Sequence, residues 1–490
     1  MAWLRWVCLI LAVAGLLGCS SLAPMSARPQ SDTQKVAELP LVNCVPPMDD
    51  PDYWIIKYPR PDKIFLSPRQ IQRLNQTSVE HGLVNDVFSE KLWNDQPKYA
   101  ERQEEENNAV NPGLSSNQSM PGTMTAARLQ AYLREETDRI KMVPRWDAQG
   151  KPVGEAYYRR LDENLNLAGI TSQNPIRYGL MRRRSDFRYY PTHDILKLKP
   201  SPWEFDVLQV SAVQAYQPVA ILHASRDGRW MFGVAPACRG WVPSRDVALA
   251  GRPEELRPFT QPRERLVVVG HYATVAAQPG DTLSAERFYM GTVCPLIARD
   301  ARYYQIALPE VEGNSRLAQR VGYILREDAV HEGFLPCTPR TICDQAFKLL
   351  HTPYSWGGAG EYRDCSQLVM DVFATVGLAL PRNSGGQGQV GNGIVRLNHK
   401  HKAARRLAEL GRLDHPALLQ FPGHVMLFIG REGNRAYAIH DIWSFRQPES
   451  SSHDRKIIIG QVVVSDLSLG EDSTRGSLLE RITVINRLQP

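Results

Sequence analysis

The sequence has no apolar run long enough to cross a bilayer. Its most apolar stretch, Trp6 to Leu17, stops well short of the ~20 residues a spanning helix needs, so no transmembrane helix is expected. It has no Cys-x-x-Cys pair and no histidine cluster that would suggest a metal, and no motif implies a cofactor. A strong charge of either sign is missing too: the formal net charge is +6 over 490 residues, with Lys and Arg scattered along the chain. That argues against a dedicated nucleic-acid surface and leaves an anionic polymer such as a cell wall unrepelled. With 43% hydrophobic and 22% charged residues, the chain is an ordinary globular protein long enough for several domains.

Cysteine is scarce, eight in all, and its positions divide by role. Arg5 precedes the short apolar stretch, which ends in Leu16-Leu17-Gly18-Cys19-Ser20, small residues just before a cysteine. The segment looks like a bacterial lipoprotein signal, in which residues 1–18 are removed and Cys19 is acylated. On that reading the protein hangs from a membrane by its lipids, on the outer side of a bacterial cytoplasm, and Cys8 leaves with the signal. Residues 19–43, rich in Ser, Ala, Pro and Gln, read as a flexible tether. Cys44, Cys238, Cys294, Cys337 and Cys343 are an odd set that cannot all pair within the chain; Cys337 and Cys343 are near enough in sequence to bridge a short loop.

The remaining cysteine, Cys365, belongs to the stretch around which the chain is organised. Leu368, Val369, Val372, Phe373 and Val376 recur at helical spacing, and Gly377 with Leu380-Pro381 supplies the stop. Asp364 sits where an N-cap belongs, so Cys365 opens the helix at the positive end of its dipole, which favours a thiolate. A cysteine nucleophile needs a histidine to carry its proton. His424 opens the apolar run Val425 to Gly430, and His440 ends a second run, Ala436 to Ile439. The turn-like Arg431 to Arg435 between them predicts a hairpin, which places the histidines on neighbouring strands, His424 as base and His440 as orienter, with Asp441 as a competitor for the second role. Tyr354 and Trp356 flank this core as candidate pocket residues, while Ser366 and Ser384 read on their own as capping or turn residues.

Tyr354, Trp356, Gly357 and Gly358, then Asp364-Cys365-Ser366, then Leu380-Pro381-Arg382-Asn383-Ser384, then His424-Val425 form an ordered series. It resembles the NlpC/P60 family of cell-wall cysteine peptidases, a permuted branch of the papain-like fold. The chain departs from that pattern at Gln367, where a Gly usually follows Asp-Cys-Ser, and at Pro416-Ala417-Leu418-Leu419, where Gly-Asp-Leu-Leu is usual.

Upstream, residues 44–168 read as a mostly helical accessory region. Ser67-Pro68 starts one helix, with Ile71, Leu74 and Val79 on its apolar side; Thr125 starts another, with Leu129, Tyr132, Leu133 and Ile140. Glu101 to Gly122 is a polar excursion between them. Next comes an internal repeat: Pro218 to Leu222, Arg226-Asp227-Gly228-Arg229-Trp230, Gly240-Trp241-Val242 and Arg245-Asp246-Val247-Ala248 are echoed by Pro295 to Ala298, Arg299 to Tyr303, Gly322-Tyr323-Ile324 and Arg326 to Val330. Short strands and Asp-Gly-type turns suit small antiparallel barrels, and the pattern resembles bacterial SH3-like (SH3b) domains. Two barrels are therefore expected at 169–252 and 253–333, either as spacers, as wall binders or as one side of the cleft. The catalytic unit is expected at 334–490, with Gly385 to Gly393 as a mobile loop. The fold class is α+β.

The resemblance implies a monomeric cysteine endopeptidase acting on the peptide stems of peptidoglycan. Two SH3b barrels beside this domain resemble γ-D-glutamyl-L-diamino-acid endopeptidases, in which equivalents of Asp364, Ser366 and Ser384 line the substrate site and Asp364 meets a free amino terminus. Two other readings stand beside it: a non-catalytic wall-binding lipoprotein, and an amidase or acyltransferase using the same Cys-His pair.

Overall fold

The computed structural model describes residues 35–37, 41–89, 92, 122–281, 285–313, 315–450 and 453–490. The signal, Cys19, most of the tether and most of the polar excursion lie outside the described residues. Among those described, no helix is long and apolar enough to cross a membrane.

The accessory region divides between two bodies. Its first part holds α1 (Pro51–Ile55) and α2 (Pro68–Glu80); Ser67 caps α2, with Gln70 closing a reciprocal capping box. Ile71 and Leu74 face inward as the periodicity predicts, but the third buried position is Ser78 and Val79 sits half-exposed beside it. This part packs into the core of the C-terminal domain. The second part, α3 (Ala126–Lys141) and α4 (Glu155–Asn164), lies on the first barrel instead. Leu129, Tyr132, Leu133 and Ile140 share a core with Trp230, Phe232 and Trp241, and Arg239 is held by Glu135 and Glu136 at 2.8 Å each.

The repeat folds into the same hairpin ladder twice. Strands Pro218–Ala224, Trp230–Val234 and Arg239–Pro243 pair in succession, as do Val293–Arg299, Tyr303–Glu312 and Arg316–Leu325. In both copies an Asp caps the turn: Asp227 accepts from the Arg229 N–H, and Asp300 from those of Arg302 and Tyr303. The barrels are not separate beads, because the parallel bridge between Leu249 and Arg316 joins their strands into one twelve-stranded ladder.

The C-terminal domain packs α5 (Pro339–Phe347) and α6 (Cys365–Ala374) on a seven-stranded sheet. Its strands are β1 (Lys35–Val36), β2 (Ile394–Arg396), β3 (Ala417–Phe421), β4 (His424–Glu432), β5 (Arg435–Ser450), β6 (His453–Asp466) and β7 (Val484–Asn486), in the order β1-β6-β5-β4-β3-β7-β2. β4 and β5 form the expected hairpin, but β5 does not stop at His440: it runs on to Ser450 against β6, leaving His440 in mid-strand. Leu368, Val369, Val372, Phe373 and Val376 of the helical stripe meet Val425, Leu427, Ile429 and Ile439 in one core. The segment expected as a mobile loop is a capped helical turn, Ser384–Gln387, with Asn383 as cap. Gln387 is fully buried there and donates to the carbonyls of Ser366 and Pro381 at 2.9 Å. The six described cysteines are all free, so Cys337 and Cys343 do not bridge.

Both barrels touch this domain. Gly291 of the second barrel adopts φ +82° against α6, where a Cβ would come within 2.6 Å of Ala374, so only glycine allows the approach.

Candidate active site

α6 begins as its sequence dictates. Asp364 is the N-cap, its carboxylate accepting the Gln367 N–H at 2.9 Å, and Cys365 follows on the first turn. Cys365 is 8% exposed, with the backbone N–H of Val425 beside its sulfur. The helix dipole alone favours a thiolate, but burial outweighs it: together with the Asp364 charge, burial pushes the Cys365 thiol up to about 12, so the resting group is protonated.

His424 stands at the start of β4 and is 9% exposed. Its Nε2 lies 2.7 Å from Nδ1 of His440, and Nε2 of His440 lies 2.8 Å from the Ser465 hydroxyl on β6. Burial, then repulsion from Arg481, pulls His424 down to about 3; burial, then His424, holds His440 well below the ordinary imidazole value. The chain of contacts fixes the protons. When Ser465 accepts from His440 Nε2 and His440 Nδ1 accepts from His424 Nε2, the lone pair of His424 Nδ1 is left free as a base. The competitor Asp441 points to the opposite face of β5. It is fully buried, both its oxygens lack a partner, and burial, reinforced by Asp364, holds its carboxyl well above the usual range. His440, not Asp441, meets His424.

Asp364 has more work than capping. Besides Gln367 it accepts from the Ser366 hydroxyl at 3.1 Å, the Gly357 N–H at 3.1 Å, and two guanidinium nitrogens of Arg382 at 3.0 and 2.6 Å. Those donors fill the roughly four lone-pair sites of a carboxylate, so a substrate amine arriving at Asp364 would have to displace one of them. Despite burial, Arg382 and the other donors keep the Asp364 carboxyl below its ordinary value. Arg382 also bonds the Ser366 hydroxyl at 2.7 Å and reaches the first barrel at Ser211, 2.7 Å away. The Ser384 side chain, next along, is half-exposed. Gln367, the departure from the family pattern, fills the space beneath Gly358 and donates to Asp371, which in turn pairs with the buried Arg363, both at 2.7 Å.

Tyr354 and Trp356 form a wall with residues from outside the catalytic unit. Phe205, from a first-barrel loop, stacks on Trp356 with ring centres 5.3 Å apart and planes 15° apart, and also meets Tyr354 and Trp443. Trp356 remains 46% exposed. Sequence reasoning passed over four of these residues. Ser465 had a faint signal, a hydroxyl ending the apolar run of β6, and Arg382 was visible only as part of a motif. Nothing local marks Phe205 or Trp443. No group of side chains among the described residues suits a metal.

A thiol on a helix start, packed against a strand whose first residue is a histidine backed by a second histidine, is the arrangement that cysteine-peptidase chemistry requires. Residues 351–440 match the NlpC/P60 family and residues 198–243 the SH3 domain of SH3b1 type. The C-terminal domain therefore carries an NlpC/P60 segment, and its site fits the cell-wall cysteine peptidases of that family. No curated protein matches the sequence. Among solved structures, an NlpC/P60 endopeptidase from Photobacterium damselae subsp. piscicida is 18% identical with a TM-score of 0.64, covering 87% of this chain and 93% of its own, which shows a shared fold. An NlpC/P60 family protein from Bacillus cereus ATCC 10987 is 17% identical with a TM-score of 0.40 and covers 58% of this chain and 83% of its own. A peptidoglycan hydrolase from Mycobacterium tuberculosis is 22% identical with a TM-score of 0.18 and covers 31% and 64%.

Proposed function

We propose that the protein is a cysteine endopeptidase that cuts peptidoglycan stem peptides through Cys365, His424 and His440. The observation that carries this is the 2.7 Å contact between His424 Nε2 and His440 Nδ1 on the strand beside Cys365. At rest the thiol and the imidazole are both neutral. As the sulfur attacks the scissile carbonyl, its proton passes to His424 Nδ1 and the imidazolium is stabilised through His440 and Ser465. The Cys365 N–H has no intrahelical partner and donates to the oxyanion. His424 then protonates the leaving amine, a thioester remains, and water attacks it with His424 as base.

The bond we assign is γ-D-glutamyl to L-diamino acid, in stems whose amino terminus is free. What supports the second part is the wall of Phe205, Trp356 and Tyr354, which limits one side of the cleft, rather than a spare charge on Asp364. Incubating the full chain with muropeptides of defined sequence, free or blocked at the amino terminus, and weighing the products by mass spectrometry tests both parts. A product cut at any other bond defeats the assignment.

The relay makes a graded prediction. His440→Ala should lower kcat strongly and His440→Asn less, since an amide can still accept from His424 Nε2. Ser465→Ala should cost only about 1 kcal/mol, the worth of one neutral hydrogen bond. Equal activity in His440→Ala and the parent would remove His440 from the mechanism.

We also infer that the chain is a lipid-anchored monomer of the bacterial envelope, held by Cys19. The described chain starts at β1 on the edge of the catalytic sheet, so the segment from Cys19 to Lys35 would keep that edge within about 50 Å of the lipid. Cys19→Ala should move the protein from the membrane pellet to the soluble fraction on ultracentrifugation. An unchanged pellet means that another anchor exists.

A further inference from the structure

The loop that precedes Cys365 is closed at its base by the Ser355 N–H donating to the Arg363 carbonyl at 2.6 Å, and within it Gly358 N–H donates to Ser355 at 3.0 Å and Ala359 N–H to Trp356 at 3.3 Å, while Gly357, Gly358 and Gly360 all have φ near +65°. Both barrels add to this: Arg287 of the second pairs with Glu361 at 2.7 Å, and the first binds the loop's carbonyls. Arg184 donates through Nε to the carbonyl of Gly360 at 2.9 Å, and through Nη2 to those of Gly358 and, at 2.8 Å, Tyr362. Its guanidinium is turned inward: Nη1 is shut off from solvent without a partner, and the group lies 5.2 Å from the Tyr289 ring of the second barrel. Gln209, also of the first barrel, fills the space over Gly357, where a Cβ would come within 2.6 Å of its Cγ. The N–H of Gly357 in turn donates to Asp364, the cap of the nucleophile helix.

We propose that Arg184 is a positioning residue for catalysis: by tying three carbonyls of the 358–362 segment to the barrel it fixes the Gly357 N–H against Asp364, and with it the first turn of α6 and the Cys365 sulfur. Arg183 beside it serves as the contrast, being exposed and paired with Glu286 on the second barrel. The proposal rests on Cys365 as the nucleophile. A lysine has one ammonium and cannot serve three carbonyls in a fixed fork, so the guanidinium itself is what the loop requires.

The test uses the full chain with Arg184→Ala, Arg184→Lys, Arg183→Ala and Cys365→Ala, measuring kcat and KM on a free-stem muropeptide together with the melting temperature. Arg184→Ala should lose about tenfold to a hundredfold in kcat, the cost of a misplaced reacting atom, while Arg183→Ala keeps the parent value. Millimolar guanidinium should restore part of the turnover of Arg184→Ala, because the gap it fills has that shape; a merely destabilised fold would gain nothing from added guanidinium. If Arg184→Ala does not fold, Arg184→Lys decides: a kcat within about twofold of the parent in either variant overturns the proposal. The two readings fail separately. Turnover in Cys365→Ala defeats the nucleophile, whereas an inactive Cys365→Ala beside a fully active Arg184→Lys defeats only the positioning role.

Discussion

Full-length protein carrying Cys365→Ala should release no product from muropeptides and should melt close to the parent. The loss should reach about 10⁴-fold or more, because the groups that remain cannot form a thioester. The stability change should be small: the sulfur makes no hydrogen bond to His424 in the resting state, and removing one buried atom leaves a gap worth about 1 kcal/mol. Cys365→Ser should be nearly as inactive. His424 is pulled down to about 3 by burial, too weak a base to take a proton from a hydroxyl, although it suffices for a thiol whose sulfur carries charge more readily. His424→Ala should fall almost as far as Cys365→Ala, since the charged neighbour of the sulfur, Asp364, already has its oxygens bound by Arg382, Ser366, Gln367 and Gly357. Mass spectrometry of stem peptides after overnight incubation is sensitive enough to decide. Retained turnover in Cys365→Ala would sink the nucleophile assignment.

What the sequence made legible was local. The stripe Leu368 to Val376 with Asp364 ahead of it dictates a capped helix, and the two apolar runs beside His424 and His440, with a turn-like segment between them, dictate a hairpin. The doubled barrel pattern survived because a repeat tests itself against its own copy. Three things were not legible, each because it depends on residues far apart in the chain. Burial reverses the dipole argument at Cys365, and burial is a property of the assembled core. The five donors on Asp364 come from α6, the Gly357 turn and Arg382, so its saturation could not be read from its neighbours. The Gly- and Gln-rich segment after Ser384 looks mobile by composition, yet Gln387 is drawn inside by the carbonyls of Ser366 and Pro381. The accessory region was least readable because its two halves answer to two different cores.

That division leads to the last expected result: a chain cut to begin at Gly333, the boundary that the sequence suggests, should fail to fold. The core of the catalytic domain contains Leu41 from the end of the expected tether and Met48, Trp54, Leu66, Ile71 and Leu74 from the accessory region. Trp54 is fully buried, its ring 5.0 Å from that of Tyr437 and its indole N–H donating to Met48 at 2.8 Å. Asn75 holds the turn after the nucleophile helix, donating to Gly377 and accepting from the Ala379 N–H, both at 2.9 Å. Losing Trp54 alone, as Trp54→Ala, should cost about 3–5 kcal/mol, a large part of the 5–15 kcal/mol that stabilises a typical domain. Removing the whole segment should exceed it. Circular dichroism and a thermal melt check this, and a cooperative transition in the truncated chain would show the domain to be self-sufficient. The question of whether the first barrel restricts the cleft must therefore be put to the full chain. Phe205→Ala removes the ring that stacks on Trp356 without touching the core under the nucleophile. If the barrel acts as a gate, this variant should cut stems with blocked amino termini at a rate closer to that for free ones. If the barrel only holds the enzyme near polymer, the ratio of the two rates stays as it is in the parent.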